Sequence, residues 1–169
     1  LPAAGDQIML KVTVLGYRRV LGTSITIPVE MLNAADLINR IENKSGARDK
    51  ALAMQLVSLD GKNIQLNAGL ELVCNKKLSD IKETDMIILP GLWGNPLGVV
   101  KNNRELTEWL SRFQGTDVMI CAAGTGSFFL AEAGLLNTKV ATTHWYYFDQ
   151  FQKTYPEVLL QRDRFITKS

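Results

Sequence analysis

Two apolar rhythms alternate along the chain. Residues 8–15 form an apolar, β-branched run that stops at Gly16, the pattern of a buried strand. Pro28 then reads as a first-turn proline opening a helix. Val29, Leu32, Ala34, Ala35, Leu37, Ile38 and Ile41 recur at helical spacing toward Ser45 and Gly46. Residues 51–59 predict a second strand running into the turn pair Asp60-Gly61. Residues 64–66 and 70–73 predict a small antiparallel excursion. Residues 85–89 predict a strand entering a loop at Pro90-Gly91. Asn103 is placed to cap a helix carrying Leu106, Trp109, Leu110 and Phe113, stopped at Gly115. Residues 118–121 predict a strand that breaks at Gly124-Thr125-Gly126, and a helix follows over 127–133, ended by Gly134. A strand at 139–142 leads to His144, a helix over 146–154 stops before Pro156, and a last strand falls at 158–160.

Strands that read as continuous apolar runs, alternating with helices, imply an α/β sandwich with a mostly parallel sheet covered on both faces. The 169 residues suit one domain, and 46% hydrophobic composition supplies a sizeable core. A formal charge of +2 is too small to predict nucleic-acid binding by this chain. One histidine and two separated cysteines, Cys74 and Cys121, make a metal site or a disulfide framework a poor reading. No cofactor is implied, and reduced thiols point to a cytoplasmic location. No run approaches the roughly 18 apolar residues of a membrane helix.

The strand–turn–helix over 118–134 is the place for chemistry. Ligands of parallel sheets bind beyond the carboxyl ends of the strands. A sharp turn there presents one residue at a helix N-terminus, the nucleophile-elbow geometry. A Gly-x-Gly turn before a helix is common, and on spacing alone a purely structural turn is the stronger reading. Cys121 lies inside the strand and is expected to be a buried, inert thiol.

Residues 131–145, AEAGLLNTKVATTHW, resemble a characteristic segment of AraC-family transcriptional regulators whose N-terminal half is a ThiJ/PfpI-like, class I glutamine amidotransferase-like domain. Residues 29–36, 78–81 and 85–91 support the likeness, which runs from about residue 8 to residue 166. The resemblance implies a flavodoxin-like three-layer sandwich, usually dimeric, spanning residues 1–169. It also implies a C-terminal helix-turn-helix DNA-binding domain that lies outside this chain. DNA would be met only through that domain.

The resemblance assigns residues too. Catalytic relatives carry Cys-x-Gly at the elbow, and the cysteine position here is Gly124, so no catalytic residue is expected. Glycine keeps such a turn without a Cβ clash; a small vacant space above the helix N-terminus is expected. Thr125 lines it, with N-capping as its alternative role. His144 matches the family histidine near the elbow, or is a hydrogen-bonded structural residue. Glu30 matches an acidic residue facing the elbow. Heading the stripe Glu30, Ala34, Leu37, Ile41, it is expected to be half-buried, against the alternative of an exposed first-turn carboxylate. Gly91 and Leu92 stand where relatives often have a glycine pair forming an anion site, and Trp93 offers an aromatic wall or a loop anchor. Aromatic residues crowded over 145–155 are expected in the core or at a dimer face. Together these imply a non-catalytic domain that binds a small-molecule effector and forms a homodimer. The alternative is an enzyme of amidase, glyoxalase-like or deglycase-like type.

Overall fold

The structure, a computed structural model, describes residues 9–42 and 51–169. Its elements are β1 (Leu10–Gly16), α1 (Thr23–Glu42), β2 (Leu52–Ser58), β3 (Ile64–Gln65), β4 (Glu71–Leu72), β5 (Lys76–Lys77), β6 (Met86–Leu89), α2 (Pro96–Lys101), α3 (Arg104–Ser111), β7 (Met119–Ala122), α4 (Ser127–Glu132), β8 (Val140–Ala141), α5 (Phe148–Thr154) and β9 (Leu159–Leu160). The predicted start at Ile8 and the helix end near Ser45 and Gly46 lie outside the described residues.

Five strands form a parallel sheet in the order β5-β2-β1-β6-β7. The mostly parallel α/β sandwich is therefore as expected, and β3 pairs with β4 as the antiparallel excursion. β8 and β9 form a separate parallel pair rather than joining the main sheet. The chain winds from β1 outward to β2 and β5, then restarts beside β1 with β6. The topological switch point is thus the β1–β6 crevice, where open α/β sheets bind ligands.

The core gathers on the middle strands. Val12, Val14, Ile87 and Leu89 are almost fully buried, and Phe128 and Phe129 of α4, with Leu106 and Leu110 of α3, close over one face. Phe128 packs edge-on against Phe151 at 4.8 Å between ring centroids, which ties α5 to α4. The aromatic run divides: Phe151 is buried and Tyr155 half-buried, whereas Trp145 and Tyr146 are exposed.

Several expectations need correction. α1 begins at Thr23, so Pro28 sits inside the helix instead of opening it. The carbonyls of Leu21 and Gly22 accept the amides of Ser24 and Ile25 and start the helix five residues early. An interior proline forfeits the bond to the carbonyl four residues back. α2 was not expected, yet Asn95-Pro96 is a cap followed by a first-turn proline. The Asn95 side chain accepts the Leu97 amide at 3.1 Å. Asn103 precedes α3 as expected but turns its amide back, donating to the Val99 carbonyl at 2.7 Å. Cys121 is exposed rather than buried, because β7 is the last strand of the described sheet.

Candidate functional site at the elbow after β7

β7 ends at Ala122, and the chain turns through Gly124, Thr125 and Gly126 into α4. Gly124 has φ +48°, a left-handed conformation that side chains resist. A Cβ built on it would meet nothing within 4 Å. Gly124 is exposed, so the outer side of the turn is open to solvent. Gly126 is held differently: a Cβ there would lie 2.6 Å from the Pro90 carbonyl oxygen and 2.8 Å from that of Leu89. Only glycine lets α4 start so close to the end of β6.

The loop after β6 closes the other side. Its Pro90 carbonyl accepts the hydroxyl of buried Tyr17, whose pKa burial pushes well up. Residues 19–21 bridge to this loop: Leu21 donates to the Gly91 carbonyl at 2.8 Å, and Trp93 donates to the Arg19 carbonyl at 2.7 Å. Gly91 is hemmed in, since a Cβ would meet the Ala123 carbonyl at 3.2 Å and Ser24 Oγ at 3.3 Å. The switch-point crevice is thus zipped shut by its own loops.

Thr125 decides the chemistry. Its buried hydroxyl accepts the Leu92 amide at 2.9 Å and lies 3.3 Å from the Leu92 carbonyl. Neither interaction is an N-cap. The amide at the position where the resemblance implies an anion site is satisfied from within, and the Leu92 side chain is buried. The Gly124 carbonyl accepts Ser127 Oγ at 2.9 Å and Thr143 Oγ1 at 3.3 Å.

The remaining residues are less concentrated than expected. His144 is exposed, and its Nδ1 accepts the Tyr146 amide at 3.3 Å as the cap of a short 3₁₀ turn; its ring stacks on Trp145 at 5.5 Å. The His144 Nδ1 thus serves the turn, and Thr143 is the neighbour that touches the elbow. Glu30 is exposed, not half-buried. α1 turns Ile25, Val29, Leu32 and Asp36 inward and leaves the Glu30 stripe outside. Trp93 is 53% exposed, anchored by its backbone and free at its ring. Tyr17 and Thr143 escaped sequence reading; the position of Tyr17 directly after a strand-ending glycine is the signal that was available. Among the described residues no cluster of His, Cys, Asp or Glu is placed to hold a metal. A polar cleft lined by Lys11, Lys82, Glu83 and Arg112 lies at the opposite, amino end of the strands. Cys121 is adjacent in sequence to the turn, and partial burial of its thiol pushes its pKa up, away from a reactive thiolate.

A parallel sheet with this elbow beside its switch point has counterparts. The profile of the DJ-1/PfpI family matches residues 11–166. The chain belongs to that family. It is 31% identical over 110 residues to the HTH-type transcriptional regulator CdhR of Pseudomonas aeruginosa, across 65% of this chain and 32% of the regulator. It is 30% identical over 96 residues to isonitrile hydratase of Pseudomonas putida, across 57% of this chain and 41% of the hydratase. These matches span less than half the length of either curated relative. Among solved structures, an AraC family transcriptional regulator from Pseudomonas putida superposes with a TM-score of 0.75 at 22% identity, covering 94% of this chain and 79% of that one. That last likeness shows the fold. This DJ-1/PfpI chain therefore has both a regulator and an enzyme among its relatives. No helix among the described residues is long and apolar enough to cross a membrane.

Proposed function

We propose that this DJ-1/PfpI domain is the ligand-sensing and dimerising part of an AraC-type transcriptional regulator, controlling a DNA-binding domain carried elsewhere in the full protein. The observation that carries this reading is the elbow itself. The resemblance puts Gly124 where catalytic relatives carry their cysteine, at a turn with left-handed backbone, and the neighbouring Leu92 amide is bonded to Thr125. The turn is kept and the reacting group is not. The match to CdhR supports the regulatory side, and a cytoplasmic location goes with it.

A small polar effector would seat on the open side of Gly124. It regulates only if it binds one arrangement of the domain or its dimer better than the other. The test is a thermal-shift screen against polar metabolites, namely carboxylates, phosphates and amines. A ligand at 100 times its Kd adds about 2.7 kcal/mol, or roughly 5–10 °C for a domain of this size. Gly124→Leu fills that side and should abolish the shift of any hit. An unchanged shift in that variant would remove the site assignment.

The match to isonitrile hydratase favours a second reading, an enzyme. It needs a nucleophile that the elbow does not supply, since the Thr125 hydroxyl is committed to Leu92. Turnover of an isonitrile by the purified chain would establish this reading instead.

A further inference from the structure

A groove of about 430 Å³, open to solvent, runs between α2, α3 and the end of α4. Small-molecule sites occupy roughly 300–1,000 Å³. It lies apart from the elbow: Ser127 opens α4 there, and Glu132 closes α4 at the groove.

Thr107 lines the groove from α3, and its Oγ1 is buried with no hydrogen-bond partner. The large majority of buried side-chain polar atoms are bonded. A helical threonine can also bond the carbonyl four residues back. Thr154 does so in α5, donating to the Gln150 carbonyl at 2.8 Å. Thr107 does not, and its hydroxyl is left for a group that enters the groove.

The charges around it are equally uncommitted. Lys101 ends α2, Arg104 opens α3, and Glu108 follows one turn later. All three line the groove, and among the described residues none of their side chains makes an ion pair or a hydrogen bond. Arg104 and Glu108 have the i, i+4 spacing, but in the order that pairs less well. Glu132 accepts the Tyr155 hydroxyl on one carboxylate oxygen at 2.8 Å and keeps the other. Two cations thus meet two carboxylates, and the lining carries no net charge. A lone anion or a lone cation would be drawn by one half and opposed by the other. A zwitterion satisfies both.

We infer that the groove binds a free α-amino acid with a small apolar side chain. Its carboxylate meets Lys101, Arg104 and the Thr107 hydroxyl, and its ammonium meets Glu108 and Glu132. Arg104 and Glu108 are about 6 Å apart along the helix axis, a span that the two charged groups of one amino acid bridge. Half-buried Leu97 and buried Val100 give its side chain an apolar wall. The site is additional to the effector site proposed at Gly124 and does not depend on it.

The test is an NMR titration of the isotope-labelled chain with L-valine. Amide signals of residues 97–108 and 132 should move with a Kd on the order of 1 mM, since exposed charge pairs each contribute little. Isovalerate lacks the ammonium and isobutylamine the carboxylate, and each should bind at least about five-fold more weakly. D-valine should also bind more weakly, because three separate contacts distinguish mirror images. Arg104→Ala and Glu108→Gln should each weaken L-valine about five-fold with an unchanged circular dichroism spectrum. Thr107→Val should weaken it without loss of stability in urea, since no bond within the chain is removed. A Thr107→Val variant that binds normally but unfolds more readily would show the hydroxyl bonded within the chain, against the site. No movement up to about 20 mM L-valine overturns the site. Isovalerate or isobutylamine binding as well as L-valine overturns the zwitterion. Movement confined to residues 91–93 and 122–127 would put the ligand at the elbow, overturning the groove while leaving the effector reading standing.

Discussion

Replacing Gly126 with alanine should destabilise the protein far more than the same change at Gly124, two residues away. Backbone preference alone says the reverse. Gly126 has helical φ −60° and ψ −26°, where alanine is favoured by up to about 1 kcal/mol. Gly124 has φ +48°, where a Cβ costs about 1–2 kcal/mol. Close packing reverses the order. The Gly126 Cβ would press on the Pro90 and Leu89 carbonyl oxygens at 2.6 and 2.8 Å. Ordinary carbon–oxygen contacts begin near about 3.3 Å, so one backbone must move by about half an ångström or more. Those carbonyls are not free to move: Leu89 accepts the Ala123 amide at 2.9 Å, and Pro90 accepts Tyr17.

Overpacking of this kind costs about 1–3 kcal/mol, and each hydrogen bond loosened adds about 1 kcal/mol. The net loss for Gly126→Ala is about 3 kcal/mol, or roughly 6–12 °C in Tm for a domain of this size. At Gly124 the Cβ meets nothing, and reduced freedom of the unfolded chain returns about 0.4–1 kcal/mol. Gly124→Ala should therefore cost about 1 kcal/mol. Urea unfolding of both variants, followed by circular dichroism, measures the difference. A Gly126→Ala loss equal to or smaller than that of Gly124→Ala would refute the account of the elbow as packed on one side and open on the other.

Three further outcomes follow from the same contacts. Thr125→Val keeps the shape but strands the buried Leu92 amide, and urea unfolding should show a loss of about 1–3 kcal/mol; a loss below about 0.5 kcal/mol would mean that the hydroxyl is not the amide's partner. Tyr17 and Tyr155 both have pKa values raised by burial, with the Glu132 carboxylate adding to the shift at Tyr155. Above about pH 10 the unfolded chain loses these protons before the native state does, so stability is full below that pH and falls as pH rises further. Tyr17→Phe should flatten the decline in melts between pH 9 and 11, and an identical slope would contradict the assignment. Cys121, though exposed, should react with iodoacetamide at pH 7 no faster than the unfolded chain's cysteines, because its thiol pKa is raised; faster labelling by mass spectrometry would mark it as an activated nucleophile.

Strands were legible where apolar runs end at glycine or a turn pair, as in β1 at Gly16 and β2 before Asp60-Gly61. The elbow was legible because a short apolar run breaking into Gly-Thr-Gly leaves few alternatives to a turn. The orientation of α1 was not. Both of its faces are apolar, so periodicity finds two stripes and cannot say which one the sheet takes. The sheet takes Ile25, Val29, Leu32 and Asp36, and this turns Glu30 outward. Asp36 shows what decides it. Its carboxylate accepts the Ala51 amide at 2.8 Å at the entrance to β2, a long-range bond invisible in local pattern. His144 was legible in part. Its place after β8 was read correctly, but the bond its Nδ1 accepts from the Tyr146 amide depends on the turn that follows, which local pattern does not specify.

The resemblance makes Gly124 and Leu92 two separate departures from catalytic relatives, and Thr125 joins them into one arrangement. A buried amide left without a partner would cost about 1–3 kcal/mol. Thr125 removes that cost by accepting the Leu92 amide, and the same bond withdraws that donor from any incoming oxyanion. Restoring a thiol is then not enough. Gly124→Cys has room for its side chain, so the new thiol should be alkylated by iodoacetamide in the folded protein. It should give no hydrolase or isonitrile hydratase turnover, because the Leu92 amide remains committed to Thr125. Adding Thr125→Ala frees that amide and is the change from which any activity should first emerge. Turnover from Gly124→Cys alone would show that the amide was never held, and that the elbow lacks a nucleophile and nothing more.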